Sequence, residues 1–170
     1  PDVGTMRMLL ILALLLLAPP AFAQSEPSGA AALARAMEAV RARDWLTANR
    51  AAARTDSLAI ATDIVGWHRL RAGDPEASFA DYRAFAARNP DWPGMPLLRR
   101  RGEAAIPVDG PPRAVVDWFD GALPTTGHGA LRLIEAYATL GREQEAEALA
   151  VEIWRTLPLE EDARRQMLTL

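Results

Sequence analysis

Asn89-Pro90-Asp91-Trp92-Pro93-Gly94 is the strongest helix stop in the chain. Two prolines and a glycine in six residues do not fit inside a helix: proline lacks the N–H and its ring collides with the preceding turn. A helical pattern ends just before this stretch and another begins just after it. Pro90, Pro124 and Pro158 are evenly spaced along the chain. Gly73 and Gly141 each fall half a step ahead of one of these prolines, so the half-step is marked too. A step made of two short helices, at roughly 34 residues, is the spacing of tetratricopeptide (TPR)-like repeats. No stretch alternates with period two, so no sheet is expected. The fold class predicted is all-α, a superhelical solenoid of TPR-like helical hairpins, because one hairpin cannot bury its apolar stripe but stacked neighbours can.

The N-terminus reads as a secretory leader. Met6-Arg7-Met8 is followed by the apolar run Leu9 to Ala18, then Pro19, Pro20 and the triplet Ala21-Phe22-Ala23. A positive start, a short apolar core and a small-x-small triplet predict cleavage after Ala23. The run of ten residues is too short to cross a hydrocarbon layer of about 30 Å, so no stable membrane span is expected. No cysteine follows the cleavage point to carry a lipid. The expected organisation is a signal peptide over 1–23, with 1–5 as an upstream extension, a linker over 24–29, and an α-superhelical domain over 30–170. The expected location is the periplasm.

Composition narrows the partners. A 23-residue leader leaves roughly 145 of 170 residues, enough for one domain with a real core. The net charge of −3 offers no basic stripe for nucleic acid. All 19 basic residues are arginine, which we read as coding bias before function. There is no cysteine, so packing alone must hold an exported fold.

Within the mature chain, Leu33, Ala36, Met37 and Val40 mark a first helix face, and Asp44 is placed to cap a second helix carrying Trp45, Ala48 and Ala52. Asp56 or Ser57 starts a longer helix whose stripe reads Leu58, Ala61, Ile64, Val65, His68, closed by Gly73. Asp74-Pro75 is expected to restart the helix. Met95 to Ala105 follows the central break, and Pro107 to Pro112 is a second one. Val115, Trp118 and Phe119 mark the next helix. Thr125 or Thr126 caps another, with Leu131, Ile134 and Tyr137 inward and Gly141 at its end. Ala146, Leu149, Ala150, Ile153, Trp154 and Leu157 then fit the helical template. A last helix from Glu160-Glu161 ends with Met167, Leu168 and Leu170 facing nothing later in the chain, which predicts truncation at the C-terminal end.

Little here resembles a catalytic centre. His68 and His128 are two isolated histidines, too few for zinc. There is no HExxH pattern, GxSxG elbow or GxxxxGK loop. Glu103, Glu135, Glu143, Glu145, Glu147 and Glu152 read as solvated helix faces rather than paired glycosidic carboxylates. No cofactor or metal is implied. The candidate ligand contacts are aromatic and basic. Trp67, Trp92 and Trp118 are of the type that stacks on sugar rings, though such residues more often wedge helices together. Arg99, Arg100 and Arg101 are candidates to meet an anionic polymer, though a short basic run is usually a solvated face.

Four segments carry a family likeness. Trp67-His68-Arg69-Leu70-Arg71-Ala72-Gly73, Tyr82-Arg83-Ala84-Phe85, the Asn89-to-Gly94 break, and Leu97-Leu98-Arg99-Arg100-Arg101-Gly102-Glu103 together resemble the superhelical domain of soluble lytic murein transglycosylases. Pro124-Thr125-Thr126-Gly127, Gly129-Ala130-Leu131-Arg132-Leu133, Gly141 and the Ala148-to-Trp154 helix resemble its next hairpins. The likeness implies a periplasmic enzyme that cleaves peptidoglycan glycan strands without water, leaving 1,6-anhydromuramoyl ends. It places the catalytic glutamate in a separate lysozyme-like domain, in a Glu-Ser pair followed by a Gly-Leu-Met-Gln-type segment. No glutamate in this chain precedes a serine, so no catalytic residue is expected here. The expected role is the non-catalytic scaffold, its partners glycan strands and the missing catalytic domain. The alternative is a stand-alone periplasmic TPR-like protein that binds a peptide or an envelope protein.

Overall fold

The computed structural model describes residues 29–168. The expected leader, most of the linker, Thr169 and Leu170 lie outside them. The described residues form nine α-helices and no strand. They are α1 (Gly29–Arg41), α2 (Trp45–Ala52), α3 (Leu58–Ala72), α4 (Phe79–Arg88), α5 (Met95–Ala104), α6 (Pro112–Phe119), α7 (Gly127–Thr139), α8 (Glu143–Thr156) and α9 (Glu161–Met167). Gly29, read as linker, is already the first residue of α1.

Helix boundaries follow local chemistry. The Asp44 carboxylate accepts the Thr47 N–H at 3.0 Å and caps α2. Gly73 ends α3 at φ 66°, the left-handed conformation that glycine adopts without a Cβ penalty. Pro90, Pro124 and Pro158 all sit between helices. The Asp74-Pro75 start is corrected: α4 begins later, at Phe79. Arg69 captures Asp74 at 2.5 Å, holding it in the preceding turn. Ser78 and Asp81 then form a reciprocal capping box, with Ser78 Oγ accepting Asp81 N–H and the Asp81 carboxylate accepting Ser78 N–H.

Two cores run through the molecule. Ala36, Ala39, Val40, Ala48, Ala52, Ala61 and Val65 fill the smaller one, between α1, α2 and the front of α3. Alanine at five of these seven positions lets the helices approach closely. The larger core contains Leu70, Phe79, Tyr82, Phe85, Leu98, Trp118, Phe119, Leu133 and Ile153. Helix α3 serves both, burying Ala61 and Val65 in one and Leu70 in the other. Its single predicted stripe is therefore corrected: Leu58 is 53% exposed, and Ile64 and His68 are half-buried. A helix that changes partners along its length has no reason to keep one apolar face.

The contacts between helices are ordered. Six of the eight sequential pairs pack together, α1–α2, α2–α3, α3–α4, α4–α5, α6–α7 and α7–α8, whereas α5–α6 and α8–α9 do not pack closely. Every odd-numbered helix also touches the next odd one: α1–α3, α3–α5, α5–α7 and α7–α9. Met167 in α9 packs against the larger core, on residues that precede it in the chain. Leu168 is exposed, and Leu170 lies outside the described residues.

Candidate functional site

The central turn is wrapped by the segments around it. Trp67, on α3, donates its indole N–H to the Pro93 carbonyl at 2.8 Å. Trp92 stands edge-on between Trp67 and Phe85, with ring centroids 6.3 and 5.5 Å away. The Arg71 guanidinium lies 4.4 Å from the Trp67 ring centroid. The Tyr82 hydroxyl donates to the Leu70 carbonyl at 3.3 Å, and burial pushes that phenol above its ordinary pKa. Burial first, and then the charge of Arg71, hold His68 below the usual imidazole value.

Of the three candidate tryptophans, Trp67 and Trp92 are half-buried and Trp118 is buried. Trp118 packs edge-on against Phe79 at 5.6 Å, and Gly102 makes room for it. Trp67 packs edge-on against Trp92, and Trp118 against Phe79, so all three join neighbouring segments of the fold. The most exposed indole is Trp154, at 50%. It fits the helical template of α8 with its apolar neighbours, but the buried face of that helix consists of Ala146, Leu149 and Ile153.

The three arginines go three ways, because successive helix residues are about 100° apart. Arg99 turns to Trp118, its Nη1 donating to the Trp118 carbonyl at 3.4 Å. Arg101 reaches Gly73, where a Cβ would lie 1.8 Å from its Nη1. Arg100 lines a separate cleft of about 360 Å³ with Thr125, Thr126, His128, Pro158 and Glu160.

Glu103 corrects the reading of a solvated glutamate: it is 3% exposed. Its carboxylate accepts the Thr125 N–H at 3.0 Å, the Thr125 hydroxyl at 2.9 Å, and the Thr126 N–H and hydroxyl at 2.8 Å each. Thr126 Oγ1 in turn accepts the Gly129 N–H at 3.0 Å and caps α7. The anion thus sits where four N–H groups begin a helix without partners. Its hydrogen bonds come from threonines, and no second carboxylate shares them. This is a positioning contact between α5 and α7. By contrast, Glu143, Glu145, Glu147 and Glu152 are exposed as read. The Arg142 hydrogen bond holds the Glu145 carboxyl below its ordinary range.

Sequence reasoning missed Arg132, whose side chain is only 5% exposed. Its Nη1 donates to the Val108 carbonyl at 3.2 Å and its Nη2 to Glu135 at 2.8 Å. Beside it, His128 donates Nε2–H to the Ile106 carbonyl at 2.7 Å. A carbonyl only accepts, so that nitrogen carries the proton. These two contacts moor the 105–111 loop on α7. An arginine inside an apolar run, as in Leu131-Arg132-Leu133, was the signal available.

Among the described residues, no three histidine, aspartate or glutamate side chains come together to hold a metal ion. None of the described helices is long and apolar enough to cross a membrane. Compared with protein-family models, curated proteins and solved structures, the chain matches none.

Proposed function

We propose that the helices stack as a superhelical solenoid of TPR-like hairpins, and that this is the N-terminal scaffold region of a periplasmic lytic transglycosylase. The solenoid reading is supported by the contacts from each odd helix to the next. Those are what a stack of two-helix units produces when the first helices of successive units line up. One observation carries the family reading. The segments resembling the transglycosylase superhelix pack into a single unit: Trp67 on Pro93, Arg71 on Trp67, Tyr82 on Leu70, Phe85 on Trp92 and Arg101 beside Gly73. Glu103 then ties that unit to Thr125 and Thr126 of the next resembling segment. Spacings that cohere through contacts are better support than the same letters scattered over unrelated surfaces. The periplasmic location rests on the leader pattern of residues 6–23. The glycan-cleaving glutamate has no counterpart in this chain, so the role proposed is to position strand or catalytic domain.

The test is co-sedimentation of the purified chain with peptidoglycan sacculi, with released muropeptides analysed alongside. The expected result is that the chain sediments with the wall and releases no 1,6-anhydro products. Release of such products would overturn the non-catalytic role. A chain that stays in the supernatant would overturn the glycan reading and favour the alternative, a stand-alone TPR-like binder of a peptide or envelope protein.

A further inference from the structure

A surface cleft of about 480 Å³ lies between the 105–111 loop, the start of α6 and α7. That is within the ordinary range for small-molecule sites. Its lining includes Val108, Asp109, Pro112, Arg132, Glu135 and Thr139. Arg132 is the unusual member. Its side chain is only 5% exposed, whereas that of Glu135 is 34% exposed. Its Nε–H is buried with no hydrogen-bond partner, and Nη1 and Nη2 each donate one hydrogen and keep a second. Burying a cation is costly unless its donors are used. A loop clamp alone would need only the Val108 contact.

We propose that this cleft binds a zwitterionic amino-acid group. The carboxylate is received by the second N–H groups of Arg132 Nη1 and Nη2, the Nε–H being buried out of reach, and the ammonium by Asp109 and the rim of Glu135. Charge decides against simpler ligands. The lining holds one cation and two carboxylates, so a lone anion enters a net negative site. A lone amine leaves the buried guanidinium donors without an acceptor. A group carrying both charges answers both conditions, and a guanidinium–carboxylate pair gains from the bidentate fork. The source is either a free amino acid or a peptide whose diamino-acid residue keeps one free amino-acid end. The preference for a zwitterion goes beyond the scaffold reading and stands without it; the peptide as its source rests on that reading, so binding of alanine alone separates the two.

The experiment is calorimetric titration of the whole chain with D- and L-alanine, with N-acetylalanine and alaninamide, and with a tripeptide ending in diaminopimelic acid. Saturable binding of alanine or the tripeptide is expected, and the tighter of the two names the source. The acetylated and amidated compounds are expected to bind at least tenfold more weakly. Asp109 is exposed, so Asp109→Asn is expected to keep the melting temperature and lose about tenfold in affinity, while Arg132→Lys loses binding. The proposal is overturned if neither alanine nor the tripeptide binds. It is also overturned if the acetylated or amidated compounds bind equally well, or if Asp109→Asn binds like the parent.

Discussion

Glu103 Oε2 accepts both the backbone N–H and the hydroxyl of Thr126, each at 2.8 Å, across 23 residues of sequence. A carboxylate from the end of α5 thus helps start α7. Glu103→Gln keeps the shape but turns one acceptor into a donor facing N–H and O–H groups. The expected loss is about 2 kcal/mol, and Glu103→Ala, which also leaves a cavity, is expected to lose about 3 kcal/mol. Urea unfolding followed by circular dichroism checks this. Midpoints indistinguishable from the parent's would mean that the contact contributes nothing.

Gly102 tests how closely α5 packs. A Cβ there would lie 2.4 Å from Trp118 Cζ2 and 3.2 Å from Tyr82 Cβ. On propensity alone, Gly102→Ala gains up to about 1 kcal/mol in a helix interior. Overpacking against the buried Trp118 ring and the Tyr82 Cβ costs about 1–3 kcal/mol, so the expected sign is a net loss. Thermal melting decides it; a raised melting temperature would show that the ring has room to move.

The indoles are expected to differ in what they contribute to stability. Trp67→Phe keeps a ring but loses the hydrogen bond to Pro93, a change worth about 1 kcal/mol. Trp154→Ala alters a half-exposed side chain and is expected to fall within about 0.5 kcal/mol of the parent. Trp154 should also account for most of the fluorescence quenched by acrylamide, which single Trp→Phe variants measure directly.

His68 gives stability a pH dependence of known sign. Its folded pKa lies below the ordinary value of 6.5, so on acidification the unfolded chain takes up this proton first. Stability from this group is complete above pH ~6.5 and falls as pH drops from there toward the folded pKa. Because the side chain is partly exposed, the effect is small. Between pH 7.5 and 5.5, His68→Gln is expected to lose less melting temperature than the parent. An equal loss in both would remove His68 as a source.

Much of the architecture was legible in the residues themselves. The Asn89-to-Gly94 break, the spaced prolines, Gly73 and the Asp44 cap act through backbone geometry and hydrogen bonds a few residues away, so helix count and order could be read in advance. Where the rule was local but two candidates competed, as Asp74 against Ser78, the choice was not legible. The helix starts at the Ser78–Asp81 capping box, while Asp74 pairs with Arg69 and accepts the Glu76 N–H.

Tertiary structure decided what each side chain is for. Nothing near Glu103 in sequence marks it as buried, because its partners are Thr125 and Thr126. Arg132 owes its role to a loop well before it in the chain, through Val108. Helix α3 lost its single stripe because two cores claim its two ends. The adjacent arginines 99 to 101 diverge because the helix rotates them toward different neighbours. Local order follows from short-range sterics and capping, which a sequence displays. Burial and charge pairing depend on which distant segments arrive alongside, and for this chain only the packed structure settled that.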